Sequence, residues 1–320
     1  MTPLDSEPHP QGFDIVAYGE PMVEFNQTGE NGGRSYLQGF GGDTSNFAIA
    51  AARQGARVAY VSAVGADPYG QMLRRLWTLE GVDHTWVATD EQAFTAIYFV
   101  THDSAGHHFQ FFRKGSAASR LGPTSVPAGS ALSTRVFHLS GISLAISESA
   151  CDAGLAMAEA ARAAGRWVSF DTNLRLKLWP VERARAVMDR ALSSCDICLP
   201  SYDDLTTLTG LQSDEAIVDH CLSRGAQTVA LKLGHRGAVV ANANERHRIA
   251  PHPCQAVDAT GAGDAFGGAF VTRLIAGDTI EQAGRYASVA AALSTEGYGA
   301  VDPIPYKHQV LHALAGVKTR

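Results

Sequence analysis

From Phe13 onward, short apolar β-type runs alternate with amphipathic segments of helical period, and this alternation leaves few architectures open. The β-type runs are Phe13–Tyr18, Ala59–Val64, Arg135–Leu139, Trp167–Asp171, Ile197–Leu199, Thr228–Leu233 and Ala238–Ala241. Helical segments span Thr44–Gln54, Gly70–Glu80, Ser149–Ala164 and Val181–Leu192, the first three closed by Gly55, Gly81 and Gly165. A glycine just past a helix adopts the left-handed conformation that satisfies the last carbonyls, so these positions read as helix ends. Strands alternating with helices of this length predict βαβ units. The fold class is therefore α/β, a three-layer sandwich with a mainly parallel central sheet.

One stretch breaks the rhythm. Phe94–Val100 and His108–Arg113 are both β-rich, and the residues between them include Asp, Ser and Gly, which are turn formers. The pair predicts a hairpin. Met22–Phe40 is also extended and punctuated by glycine, so segments at about 22–40 and 93–114 are expected to form a small sheet projecting from the main layer as a lid. With no repeat, low-complexity tract or linker, residues 12–320 are read as one domain, and the polar residues 1–11 as a flexible segment.

Composition removes several classes of function. The formal net charge is −6 and basic residues are scattered, so there is no stripe to track nucleic-acid phosphates. No apolar stretch approaches the roughly 20 residues of a membrane span, and the amino terminus lacks the apolar core of a secretion signal. A cytoplasmic location is expected. Five cysteines in 320 residues do not suggest a disulfide framework. Cys195 and Cys198 form a lone C-x-x-C inside a strand-like run, where residues three apart should face opposite ways, so they are read as structural. The histidines around the hairpin turn, His102, His107 and His108, lack recognisable metal spacing, and no metal-ligating set is assigned.

The segment richest in chemistry is Val257-Asp258-Ala259-Thr260-Gly261-Ala262-Gly263-Asp264, which leads straight into an apolar helix. Small residues there let a ligand approach the backbone, and a helix amino terminus offers unpaired N–H groups and positive dipole to an anion. A carboxylate does not improve such an anion site. Asp264 is accordingly read as a proton acceptor beside a transferring phosphoryl group, against the plainer reading of an acid that complements the helix dipole. Phe266 stands where a dinucleotide fingerprint needs Gly or Ala, and no G-x-x-x-x-G-K-[ST] occurs, so neither a Rossmann nor a P-loop site is present.

A second glycine cluster, Gly39-Phe40-Gly41-Gly42-Asp43-Thr44-Ser45-Asn46, also precedes a helix. Gly41-Gly42 with Asn46, Ala48, Gly55 and Gly65 resembles the first signature of the ribokinase-like (PfkB) carbohydrate kinases. Asp258 to Asp264 resembles the second, and Lys232-Leu233-Gly234-His235-Arg236-Gly237 is similar to the family's strand-turn near the nucleotide. The resemblance runs from Phe13 to about Ala300. It implies an anion hole at Gly261, Ala262 and Gly263, with Asp264 as the base. It also implies a nucleotide site along Lys232, Gly234, Gly237, Gly263 and Ser201, and a sugar site at Gly42, Asp43, Asn46 and Tyr98. ATP and Mg²⁺ are the implied cofactors, a monovalent cation is admitted, and a homodimer through the lid sheet is expected.

This sequence departs from the family pattern at Ala259, at Thr44, and at Ser201-Tyr202-Asp203-Asp204, which stands in place of N-x-x-E. Gly19-Glu20-Pro21-Met22, Gly41-Gly42-Asp43-Thr44 and Asp171-Thr172-Asn173-Leu174-Arg175 resemble the 2-keto-3-deoxygluconate kinases, and fructokinases share part of the set. Arg113 and Arg175 each follow a strand where they would face the cleft, and a planar fork of donors suits a carboxylate. Phe111 replaces the tyrosine usual in that subgroup. The leading expectation is ATP-dependent phosphorylation of a primary hydroxyl on a small sugar acid. Its alternatives are a fructokinase, a nucleoside kinase and a sugar-binding regulator without turnover.

Overall fold

The computed structural model describes residues 12–29, 33–103, 106–127 and 129–316; the segment 1–11, expected to be flexible, lies outside the described residues. In chain order the strands are β1 (Phe13–Tyr18), β2 (Met22–Gln27), β3 (Tyr36–Gly41), β4 (Val58–Gly65), β5 (Val82–Asp83), β6 (Val87–Asp90), β7 (Ile97–Asp103), β8 (Gly106–Phe112), β9 (Thr134–Ser140), β10 (Trp167–Asp171), β11 (Ile197–Leu199), β12 (Thr228–Lys232), β13 (Ala238–Asn242) and β14 (Arg246–Ile249). The helices are α1 (Asp43–Arg53), α2 (Pro68–Leu79), α3 (Gly141–Ala145), α4 (Glu148–Ala163), α5 (Val181–Ser193), α6 (Tyr202–Thr209), α7 (Asp214–Ser223), α8 (Ala262–Ile275), α9 (Ile280–Ser294) and α10 (Lys307–Gly316).

The main sheet runs β14-β13-β12-β11-β10-β9-β1-β4-β5, with β6 also paired to β4. It is parallel from β12 through to β5, while β13 and β14 add an antiparallel edge. Strand alternation divides the core into two layers. Ile15 and Ala17 of β1 pack with residues of α1, α2, α8 and α9, whereas Val16 and Tyr18 pack with residues of α3, α4 and α5 on the other face. This is the expected three-layer α/β sandwich. Among the described residues, no helix is long and apolar enough to cross a membrane.

A second sheet, in the order β3-β2-β7-β8, stands apart from the first. Its hairpin differs from the sequence reading: the first strand starts at Ile97, and pairing runs down to Asp103 and Gly106. Phe94-Thr95-Ala96 is not strand because Thr95 is tied to the body. Its amide and hydroxyl donate to Asp67 at 2.7 and 2.8 Å, and its hydroxyl oxygen accepts from Gly65 N at 2.9 Å.

The cysteine pair also needs correction. β11 begins at Ile197, so Cys195 lies in the turn before it, and Cys195, Cys198 and Cys221 all sit in the same core layer. The opposite-face rule fails because Cys195 is not on the strand. All five cysteines are free thiols, four of them buried.

Candidate active site

The parallel strands deliver their last residues to one edge of the sheet, the usual place for ligands in open α/β folds. Asp171 ends β10 and Lys232 ends β12. Between this edge and the lid lies a cleft of about 1890 Å³, and every residue singled out from the sequence as catalytic, sugar-facing or nucleotide-facing lines it.

Its floor is made by two helix starts packed together. Gly261 caps α8 at φ 77°, and a Cβ there would lie 2.8 Å from Ala300 O, so only glycine fits. Gly263 is different. It has ordinary helical geometry, and an added Cβ would meet Lys232 Nζ at 3.5 Å, an unstrained contact on the cleft side. One turn further on, a Cβ on Gly268 would lie 2.6 Å from Phe47 O. That close approach of α8 to α1 brings Asn46 Nδ2 to Asp264 Oδ2 at 2.8 Å.

Asp264 is partly open to the cleft and enclosed on its other sides. Burial, followed by the neighbouring charge of Asp43, raises its proton affinity well above the usual carboxylate range, while the Asn46 hydrogen bond opposes the rise. Lys232 Nζ donates to Asp171 Oδ2 at 2.5 Å. Burial likewise pushes Asp171 up, against the pull of Lys232. His138 lies beneath, stacked on Phe47 with centroids 3.5 Å apart and held by Ser169 Oγ at 3.1 Å. Burial, with Lys232, drives its proton affinity well down, so it is a neutral packing element.

At the lid end of the cleft, Gly42 has φ 99°, and a Cβ would strike Glu20 O at 2.3 Å. Asp43 opens α1, and its Oδ2 accepts from Asn173 Nδ2 at 2.9 Å. Asn173 is the one non-glycine among the described residues with positive φ, 26°, a conformation asparagine tolerates better than most residues. Tyr98 lines the cleft from β7, but its hydroxyl donates to the buried Glu24 at 2.5 Å. Arg113 does not stand alone either: its Nη2 lies 2.5 Å from Glu20 Oε2. Arg175 is exposed on the rim, donates to the Leu174 carbonyl at 2.8 Å, and has no ion pair among the described residues.

At the other end of the cleft, Gly234 (φ 60°) and Gly237 (φ 85°) shape the β12–β13 turn, and a Cβ on Gly237 would clash with Ile249 O. Ser201 caps α6, its Oγ accepting from Asp204 N at 3.2 Å. Asp204 accepts in turn from Thr172 Oγ1 at 2.9 Å. Asp258 braces the small-residue loop, its carboxylate accepting from Thr260 N, from Thr260 Oγ1 and from Gly299 N at 2.9, 2.6 and 3.0 Å.

Glu20, Glu24, Asp171 and Asn173 were not singled out as site residues from the sequence. A visible signal existed for Glu20 and Asp171, since each is an acid at the end of an apolar strand, where a purely structural role predicts an apolar or small residue.

The geometry therefore joins a carboxylate of raised proton affinity, the amino terminus of α8 and a lysine at one end of a cleft of about 1890 Å³. The family model described as pfkB family carbohydrate kinase matches residues 13–307. A 2-dehydro-3-deoxygluconokinase of Thermoproteus tenax is 35% identical over 315 residues, covering 93% of each chain. A probable fructokinase-4 of Arabidopsis thaliana is 32% identical over 318 residues, covering 94% of this chain and 97% of that protein. Among solved structures, a fructokinase of Vibrio cholerae O395 in a form with fructose, ADP and calcium bound superposes with a TM-score of 0.84 at 29% identity, covering 94% of this chain and 99% of that one. Fold, site and relatives agree, and the chain belongs to the pfkB family of carbohydrate kinases, enzymes that transfer a phosphoryl group from ATP to a sugar.

Proposed function

We propose that this kinase phosphorylates a primary hydroxyl of a small sugar acid, best represented by 2-keto-3-deoxygluconate. The observation that carries the substrate class is Arg175, an exposed cation on the cleft rim with no ion pair among the described residues. Support comes also from the 2-dehydro-3-deoxygluconokinase relative, 35% identical to this chain. Fructose is the second reading, favoured by the fructokinase relatives and by the compensation of Arg113 by Glu20.

In this reading Asp264 accepts the proton of the attacking hydroxyl, and its raised proton affinity makes it a stronger acceptor than an ordinary carboxylate. The backbone at Gly261, Ala262 and Gly263, with the amino terminus of α8, holds the transferring phosphoryl group. Asn46 orients Asp264 through their 2.8 Å hydrogen bond. Its Oδ1 is buried without a partner among the described residues and so remains able to accept from a sugar hydroxyl. Gly42, Asp43 and Tyr98 frame the sugar.

The residues present fit ATP. Lys232 sits 3.5 Å from the point where a Gly263 Cβ would stand, placing its ammonium beside the anion cradle, while Gly234, Gly237 and Ser201 border the groove leading away from it. Mg²⁺ would neutralise phosphate charge during transfer. Among the described residues no cluster of three His, Cys, Asp or Glu could hold a metal, so the ion would arrive on the phosphates. The loop braced by Asp258 is the place to look for any monovalent-cation effect.

The assembly we propose is a homodimer through the lid. Leu37, Phe109 and Phe111 are 58%, 39% and 42% exposed on one face of that sheet, an apolar surface a monomer rarely leaves open. A cytoplasmic setting is consistent with five free thiols.

The substrate class is tested by kcat/KM for 2-keto-3-deoxygluconate and for fructose in Arg175→Leu and Arg113→Leu. At least one substitution should lower the value for the acid roughly 10- to 100-fold, the worth of a charged hydrogen bond, with a smaller change for fructose. Proportional loss on both sugars would refute the sugar-acid assignment and leave the kinase standing.

A further inference from the structure

The cleft contains a charge pair whose geometry bears on how the enzyme separates charged from neutral sugars. Glu20 lies at the joint where the chain leaves β1 for the lid strand β2, and Arg113 and Ser116 lie where it returns to the body after β8. The side chain of Glu20 is 0% exposed and that of Arg113 11% exposed. Ser116 Oγ donates to Glu20 Oε1 at 2.6 Å, and Arg113 Nη2 lies 2.5 Å from Glu20 Oε2.

The second contact is a charge contact rather than an aligned hydrogen bond. Glu20 Oε2, Arg113 Nε and Arg113 Nη2 are all buried without a hydrogen-bond partner among the described residues. The guanidinium therefore has its charge compensated at Nη2 while Nη1, which makes no hydrogen bond or ion pair among the described residues, is left for a ligand, and Arg113 lines the cleft. A compensated guanidinium donates equally well to the hydroxyls of a neutral sugar. An uncompensated one in the same enclosed place would favour an anion strongly, because charge acts further where water is excluded. Asp43 and Asp264, on the same cleft, repel an anionic substrate and make the balance a fine one.

We propose that Glu20 is a specificity-determining residue: by cancelling the charge of Arg113 it holds down the preference for anionic over neutral sugars, leaving Arg175 to supply the margin for an acid. This rests on the reading above that Arg113 meets the substrate.

The test uses one ratio, kcat/KM for 2-keto-3-deoxygluconate divided by that for fructose, measured on purified full-length protein. Glu20→Gln keeps the shape and an acceptor for Ser116 but removes the charge, and it should raise the ratio about tenfold or more, the scale of one charged contact. Arg113→Leu leaves the Glu20 charge behind and should lower the ratio by a similar factor. The double variant Glu20→Leu with Arg113→Leu removes both charges, a replacement buried ion pairs often tolerate. Its ratio should return to within about threefold of wild type, where single charged contacts are worth far more. If Glu20→Gln does not fold, the double variant decides alone. A ratio in the double variant equal to that in Arg113→Leu, or an unchanged ratio in folded Glu20→Gln, overturns the role of Glu20. An unchanged ratio in Arg113→Leu removes the underlying contact between Arg113 and substrate instead, and the two failures are thereby told apart.

Discussion

The two ends of the cleft are built from different materials. The end proposed for the nucleotide is mostly backbone: Gly261, Gly234 and Gly237 at positive φ, with the first turn of α8. The end proposed for the sugar is mostly side chains matched across distant segments: Glu20 with Arg113, Glu24 with Tyr98, and Asp43 with Asn173. A backbone cradle binds any phosphate and tolerates little change, because a Cβ at Gly261 or Gly237 would sit within 2.8 Å of a carbonyl oxygen. Matched side chains can be re-paired by single substitutions. On the proposed reading, chemistry belongs to the first end and choice of substrate to the second.

The sharpest way to break this division is Asp264→Asn. It removes the proton acceptor while preserving size and the anion cradle, so kcat should fall about 10²–10⁴-fold, with ATP affinity retained. A variant keeping more than half the wild-type kcat would dismiss Asp264 as the base.

Next in expected size is Gly263→Val. Because Gly263 has helical geometry and an added Cβ makes only ordinary contact with Lys232, at 3.5 Å, no positive φ opposes the substitution. The branched side chain would instead occupy the place proposed for the phosphoryl group. We expect kcat to drop about 10²-fold, the scale of losing one donor of such a hole, with sugar affinity by calorimetry nearly unchanged. Equal loss of both would move the phosphoryl site elsewhere.

The smallest effects join the two ends through Asp264. Its proton affinity is raised by burial and then by Asp43, and lowered by Asn46. A base whose affinity is raised is lost by protonation at a higher pH than an ordinary carboxylate, so the acid limb of kcat/KM lies above the usual carboxylate range. Asp43→Asn removes the repelling charge and should move that limb to lower pH. Asn46→Ala removes the opposing hydrogen bond and should move it to higher pH. Shifts of the same sign in both variants would contradict the assignment.

Legibility from sequence followed the same division. The glycines at 261, 234 and 237 announce themselves, because backbone that must adopt positive φ requires a particular residue type at a fixed place in the chain. The mainly parallel central sheet and the lid hairpin were similarly readable from period and turn residues. Arg113 was read as a cleft-facing cation suited to a substrate carboxylate, but its partner Glu20 lies 93 residues away, and nothing local couples them. Cys195 and Cys198 were placed on opposite faces because Cys195 was counted into the strand-like run, whereas β11 begins only at Ile197. Short strands such as β5 and β6, with 2 and 4 residues, carry too little period to be seen, and they form because β4 offers them an edge.

The account stands most directly on one comparison in the wild-type enzyme: initial rates of ADP formation with saturating ATP and Mg²⁺ across a concentration series of 2-keto-3-deoxygluconate and of fructose. It predicts turnover with both and a higher kcat/KM for the acid, because Arg175 faces the cleft without a partnering acid among the described residues. A higher value for fructose would contradict the sugar-acid assignment.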